Sequence, residues 1–206
     1  MLLAIHPKNP EPRKIQQVVD LLNSGSVIVC PTDTVYAFVC SAEQPRAIEA
    51  VAKLKGLKVQ KAELSLICQD LSQLSLYARA ISTPAFRTMK KALPGPYTFI
   101  VPASTEIPRI FKNNKRTVGI RVPDHPVPLA LVTALGHALV CTSVHDPDTV
   151  RDYTTDPELI EEHIGHSLGL VIDSGVGGLE GSTVVDLSEG DPRVLREGKG
   201  PIEDLF

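Results

Sequence analysis

The chain has 206 residues, 43% of them apolar and 22% charged, with a formal net charge of −3; that suits one globular core, is short for two, and excludes a protein that is basic overall. No stretch approaches the roughly 18 consecutive apolar residues of a membrane span, and the start MLLAIHPKNPEPRK lacks the charged n-region and long apolar core of a secretory leader. Four cysteines, Cys30, Cys40, Cys68 and Cys141, lie in or beside apolar runs and form no C-x-x-C pair, so they are expected to be buried free thiols in a reducing, cytoplasmic compartment.

In chain order, Ile15, Val18, Val19 and Leu22 fall at helical spacing in residues 13–24, with Gly25 as the stop. Residues 27–30, VIVC, read as a strand that Pro31 ends, leaving Thr32, Asp33 and Thr34 at its mouth. Residues 45–55 return to helix, LSLIC is a short strand, and Asp70 caps a helix expected to run through Ala80. Ser82 with Pro84 just inside opens another helix, which stops before Pro94-Gly95-Pro96. The strand YTFIV, a short helical piece near 107–112 and the strand TVGIRV follow. Asp124-His125-Pro126 starts a helix that Gly136 ends, and ALVCTS is the next strand. Thr155-Asp156-Pro157-Glu158 has the form of a capping box for a helix from 156 to about 164. The strands GLVID, STVVDL and RVLRE close the chain without helices between them. Alternating helices and strands with a run of strands at the end predict a single α/β domain, a twisted open mixed sheet flanked by helices.

Several familiar motifs are absent. There is no G-x-x-x-x-G-K-[ST] loop, nucleophile elbow or H-E-x-x-H. DSGVGGLEG (173–181) follows a strand but leads into another strand, so it reads as a glycine-permitted turn and not a dinucleotide cradle. His163 and His166 lack the partners of a metal site.

What recurs is a placement of hydroxyl and basic side chains at strand ends: Thr32-Asp33-Thr34, Thr117 through Arg121, Thr142-Ser143, Ser182-Thr183 and Arg196. Together they predict a polar pocket that holds a polyanion and a small polar substrate and works by positioning and charge, with no covalent nucleophile. Lys55, Arg121, Arg196 and Lys199 are the candidate cations, Lys199 being read as a solvated surface charge. Three basic segments add Lys53, Lys55, Lys58 and Lys61, then Arg87, Lys90 and Lys91, then Arg109, Lys112, Lys115 and Arg116. Each is either a solvated face or part of an RNA-contacting surface.

CPTDTVYAF resembles the PTDTVYGL signature of the YrdC/YciO family, which includes the threonylcarbamoyl-AMP synthases of transfer-RNA modification. LPGPYTFIV, TVGIRVPDHPVPLALV, ALVCTS and GSTVVDLSEGDPRVLREG follow the family pattern in its order, over roughly residues 12–200. The resemblance implies a concave, positively charged sheet surface, binding of double-stranded RNA or tRNA, and the conversion of L-threonine, bicarbonate and ATP to threonylcarbamoyl-AMP and pyrophosphate. Magnesium would accompany the ATP. By position, Thr34, Tyr36, Arg121 and Ser182 are implied on the threonine side, and Lys55, Thr117, Ser143 and Arg196 on the ATP side.

Departures from the pattern point to the YciO branch. Leu57 stands where synthases carry Arg, His145 where they carry Asn, Ala37-Phe38 replaces Gly-Leu, and Cys68 replaces a histidine. The resemblance therefore implies synthase chemistry that is weak or altered; the alternative is a non-catalytic tRNA- or rRNA-binding module that retains the nucleotide pocket.

Overall fold

A helix forms where one stripe of a segment is apolar and its first turn leaves few amides without partners, and five of the six α-helices carry proline in the first turn, which removes one such amide. The computed structural model describes residues 1–59, 61–62, 64–107, 116–144, 152–203 and 205. Its helices are α1 (Pro12–Asn23), α2 (Pro45–Leu54), α3 (Leu71–Tyr77), α4 (Thr83–Ala92), α5 (Pro126–Leu135) and α6 (Pro157–Ile164). The strands are β1 (Leu2–Ala4), β2 (Ile28–Cys30), β3 (Ala37–Ser41), β4 (Ser65–Ile67), β5 (Tyr97–Pro102), β6 (Thr117–Arg121), β7 (Leu139–Ser143), β8 (Leu170–Asp173), β9 (Thr183–Asp186) and β10 (Arg193–Arg196).

Three expectations shift in detail. The helix capped by Asp70 ends at Tyr77, because Ala78 bridges to Ala103 and Ala80 turns to φ +53°. The cap of α6 is Asp156, whose carboxylate accepts from Glu158 N at 2.9 Å, and not Thr155. The helical piece near 107–112 falls almost wholly outside the described residues. β1 and β3 are additions; neither is signalled by the sequence pattern.

All ten strands form one mixed sheet in the order β1-β8-β2-β3-β7-β4-β6-β5-β9-β10. Its two faces are covered unequally. On one face α2, α3, α4 and α6 bury Ile48, Val51, Leu74, Met89 and Ile160 against Phe38, Leu66, Phe99, Val101, Val118, Ile120 and Val185. On the other, α1 and α5 bury Ile15, Val18, Val19, Leu22, Leu131 and Val132 against Ile28, Val39, Ile67, Leu139, Cys141, Leu170 and Ile172. Among the described residues this second core draws nothing from β6, β5, β9 or β10, and none of their helices packs on that half of the face.

The sheet also curls. Residues 174–182 join β8 to β9, seven positions apart in the strand order, a span of about 34 Å in a flat sheet at about 4.8 Å per strand. A linker of that length reaches only about 33–36 Å fully extended, yet it detours past Thr155 and Thr34, to which Gly177 N and Gly178 N donate at 2.7 and 3.0 Å. The two halves of the sheet therefore bend toward each other on the face the linker crosses.

The four cysteines are buried free thiols as expected. Burial pushes all four thiols up, Cys141 to about 11, which leaves them inert as nucleophiles at neutral pH. Among the described residues no helix is long and apolar enough to cross a membrane.

The cap of α5 is pH-sensitive. His125 Nδ1 accepts from Val127 N at 3.2 Å, and burial holds the imidazole pKa below its ordinary 6.5 against the opposing charges of Asp33 and Asp124. A pKa lowered by folding means the neutral ring contributes stability above pH 6.5, and this is lost as pH falls through the folded value. Asparagine caps without titrating. Between pH 7.5 and 5, urea unfolding is expected to show wild type losing up to about 1 kcal/mol relative to His125→Asn; parallel pH dependence would exclude this cap as the cause.

Candidate functional site on the open strip of the sheet

Strand alternation places the polar residues. On β6, Val118 and Ile120 face the four-helix side, so Thr117, Gly119 and Arg121 face the uncovered strip. On β5, Phe99 and Val101 point to the same core and leave Thr98, Ile100 and Pro102 on the strip. Thr117 and Arg121 stand at opposite ends of β6, about 13 Å apart at about 3.3 Å per residue. The expected pocket of strand ends is thus better described as one face of the curled sheet. Gly119 is its floor: a Cβ there would lie 2.6 Å from Ser65 Oγ and 3.2 Å from Thr98 Cγ2.

Arg121 is the anchor. Its Nη2 donates to Asp33 Oδ1 at 3.1 Å and to Thr34 Oγ1 at 2.8 Å, although β2 and β6 are separated by β3, β7 and β4. The loop 31–36 therefore leans across the sheet face. Both hydrogens of Nη2 are spent inside the protein, while the buried Nε has no partner among the described residues. The hydroxyls beside it can be counted. Thr32 Oγ1 lies 2.6 Å from the Val35 carbonyl, which only accepts, so Thr32 donates there. Thr34 must then be the donor in the 3.0 Å contact with Thr32, and it also accepts from Arg121. One acceptor lone pair is all that Thr34 Oγ1 has left.

A second cluster lies across β5 and β9. Thr98 Oγ1 and Ser182 Oγ are 2.8 Å apart, and Arg196 Nη2 donates to the Ser182 carbonyl at 2.9 Å and approaches its hydroxyl at 3.3 Å. Ser182 and Arg196, implied for different ligands, are thus direct neighbours. Lys199 is not merely a solvated charge: its Nζ donates to the Asp33 carbonyl, while its amide donates to Gly181 O at 2.9 Å. The segment after β10 thereby ties the second cluster to the first.

Lys55 and Ser143 also meet, Lys55 Nζ donating to the Ser143 carbonyl at 3.3 Å. Tyr36 stands apart from the strip. Its ring is buried among the four-helix core, and its hydroxyl donates to Gly175 O at 2.8 Å and accepts from Ser174 N at 3.3 Å. Burial pushes the phenol pKa up, so the donating proton stays on. Tyr36 holds the linker 174–182, and through it a wall of the site, instead of presenting its hydroxyl to a ligand.

The departures separate by burial. Ala37, Phe38 and Cys68 are fully packed core residues, whereas Leu57 is 45% exposed; His145 lies outside the described residues. Of the basic segments, exposed Arg87, Lys90 and Lys91 sit on α4, which covers the face opposite the strip, and 108–115 are outside the described residues. Thr98 and Ser65 are the site residues that the strand-end pattern did not include.

The glycine turn 174–181 forms a wall. A Cβ on Gly178 would collide with the Thr34 carbonyl, a backbone atom that cannot rotate away. Gly178→Ala is expected to cost about 1–3 kcal/mol as overpacking and to loosen the 31–36 loop, seen as faster amide exchange at Thr34. Unchanged exchange would show that the linker does not brace this loop.

The family model Sua5/YciO/YrdC, described as "Telomere recombination", matches residues 20–198. YciO of Escherichia coli is 39% identical over 204 residues, covering 98% of this chain and 97% of its own; its crystal structure superposes with a TM-score of 0.92 over the whole chain and 99% of that one. The threonylcarbamoyl-AMP synthase of Halorhodospira halophila is 32% identical over 181 residues, 87% of this chain and 92% of its own. Sua5 of Pyrococcus abyssi, solved in complex with L-threonine, is 26% identical with a TM-score of 0.89 over 98% of this chain, which spans 59% of that longer one.

Proposed function

The chain belongs to the Sua5/YciO/YrdC family, and on that premise we propose that it binds L-threonine and ATP on the open strip and forms threonylcarbamoyl-AMP weakly or in altered form. The observation that carries this is the pairing of Thr34 and Arg121. Thr34 Oγ1 can only accept one more hydrogen bond, and Arg121 beside it can only donate. An α-amino acid offers the complementary pair, an amine that donates and a carboxylate that accepts. The existence of an L-threonine complex of the Pyrococcus abyssi relative supports the choice of amino acid.

The reaction then needs placement more than acid–base chemistry. The threonine amine forms a C–N bond to the carbon dioxide that bicarbonate yields on losing hydroxide, and the proton the amine gives up joins that hydroxide as water, leaving a carbamate. A carbamate oxygen attacks the α-phosphorus of ATP, forming the new O–P bond, and the α–β phosphoanhydride bond breaks to release pyrophosphate. Thr34, Arg121 and Ser182 orient the amino acid; Lys55, Thr117, Ser143 and Arg196 line the way for the nucleotide and stabilise charge on its phosphates. Among the described residues no three His, Cys, Asp or Glu side chains converge on a point, so magnesium arriving with ATP would take its ligands mainly from phosphate and water.

The test is direct. Purified protein with ATP, L-threonine, bicarbonate and magnesium is expected to release pyrophosphate and accumulate the adenylate slowly, both dependent on threonine. ATP binding without any threonine-dependent turnover would reject synthesis. It would favour the non-catalytic reading, in which the exposed lysines and arginines of α2 and α4 bind duplex RNA or tRNA with an affinity that falls steeply with salt.

A further inference from the structure

We propose that Lys199 is a substrate-binding residue of this site, its ammonium holding the one-carbon anion: bicarbonate, and then the carbamate formed from it. This rests on the amino-acid-binding reading above and adds the group that receives the second substrate.

The backbone around Lys199 has little freedom. Gly198 N donates to Thr183 Oγ1 at 3.0 Å, and Lys199 N to Gly181 O at 2.9 Å. Thr183 Oγ1 in turn donates to Gly200 O at 2.6 Å, and Tyr97 Oη to Pro201 O at 2.9 Å. A Cβ on Gly198 would collide with the Gly181 carbonyl, and one on Gly200 with the Tyr97 ring, so the segment is pressed flat against the start of β9 and β5. From this fixed root the Lys199 side chain crosses to the Asp33 carbonyl, spanning the gap between the two clusters.

Charge and donor counts single it out. Asp33 spends its carboxylate on Arg121 Nη2 and the Asp124 amide, and both side chains of the Asp33–Arg121 pair are only 8% exposed. That pair is neutral and self-contained. Arg196 has Nε and Nη2 committed to Ser182. Lys199 meets the loop at a neutral carbonyl, and among the described residues it forms no ion pair. Its charge is therefore the net charge of the first cluster. Of three ammonium hydrogens one is used, and the side chain is exposed, so two donors face outward. Thr34, the next residue after Asp33, keeps only an acceptor and takes the substrate amine in the reading above. The carbamate forms on that nitrogen, where a neutral amine becomes part of an anion. Lys199 keeps its proton throughout and supplies charge and hydrogen bonds. A compact cation with rotatable donors can follow the anion as bicarbonate gives way to carbamate.

The experiment uses full-length protein with nitrogen-15 at the lysine ammonium groups, observed by NMR, the Lys199 signal being assigned by its loss in Lys199→Met. With L-threonine bound, carbon-13 bicarbonate is expected to shift the Lys199 signal and to give a protein-bound carbamate carbon signal. That carbamate signal should be about tenfold weaker in Lys199→Met, the loss of one charge-assisted contact, and should persist in Lys199→Arg. L-threonine binding should stay as in wild type in both variants. Threonine affinity that falls along with the carbamate signal would make Lys199 a brace for the loop and overturn the proposal. So would a Lys199 signal that bicarbonate leaves unmoved, or one that responds to a non-hydrolysable ATP analogue and not to bicarbonate. A wild type that binds no threonine would reject the amino-acid reading and this proposal with it, whereas threonine binding without a Lys199 response rejects this proposal alone.

Discussion

Replacing Arg121 by methionine is expected to destabilise the protein by about 3–5 kcal/mol, the range for breaking a buried ion pair from one side. Methionine fills much of the volume of the arginine stem, so the cost comes mainly from what is left behind. The Asp33 carboxylate, 8% exposed, keeps the Asp124 amide but loses its cation, and Thr34 Oγ1 loses its strongest donor. The loop 31–36 is held across three intervening strands by this pair, so the same change should abolish L-threonine binding. Urea unfolding with an unchanged m-value measures the first effect. The double variant Arg121→Met/Asp33→Asn should recover part of the loss, since the orphaned charge is removed with its partner. A single-variant loss below about 1 kcal/mol, the range of an exposed pair, would show that Asp33 and Arg121 are solvated in solution.

Local pattern and long-range arrangement were not equally legible in the sequence. α1 and α2 follow from apolar stripes, and Asp70, Ser82 and Asp156 announce their helices by accepting from first-turn amides. β3 escaped because Ala37–Ser41 is buried on both faces, so it lacks the alternation that marks a half-exposed strand. β1 is three residues at the sheet edge, too short for any period to show. The open strip did have a signal on β6, where Thr117, Gly119 and Arg121 alternate with Val118, Ile120 and Val122. Alternation of this kind says that one face has no apolar cover, a stronger statement than a cluster of hydroxyls at a strand end. The meeting of Thr34 with Arg121 had no such signal. It depends on the strand order, in which β2 and β6 are sequentially distant and spatially not adjacent, and on a curl that no local propensity encodes.

The departures from the synthase pattern can be ranked on the same grounds. Ala37, Phe38 and Cys68 fill the two cores beside β3 and β4, so they act through packing and present no group to a ligand. Leu57 has no packing duty of comparable weight, being 45% exposed just beyond the end of α2. An exposed leucine where the family resemblance implies arginine is a change of chemistry at a position that packing does not restrict.

Leu57→Arg is therefore expected to raise threonylcarbamoyl-AMP formation about ten- to a hundredfold. A charge-assisted hydrogen bond contributes about 1.5–3 kcal/mol, which is about one to two decades in rate if it forms in the transition state. The backbone is already set for it: the Leu57 amide donates to Ala52 O at 3.0 Å, closing α2, and two residues earlier Lys55 reaches the Ser143 carbonyl on β7. A longer cationic side chain at 57 needs no repacking, and thermal stability should stay within about 0.5 kcal/mol of wild type, as for other exposed substitutions. The added guanidinium offers the phosphates a planar, bidentate donor that Lys55 cannot supply as a point charge. The gain should appear in kcat with ATP in excess if the contact belongs to the transition state, and in KM for ATP alone if it belongs to the ground state. Adding His145→Asn tests whether the second departure limits the rate in series; a larger gain in the pair than in Leu57→Arg alone is the expected result. A rate unchanged in both variants, with ATP and threonine still bound, would show that neither departure limits the proposed reaction.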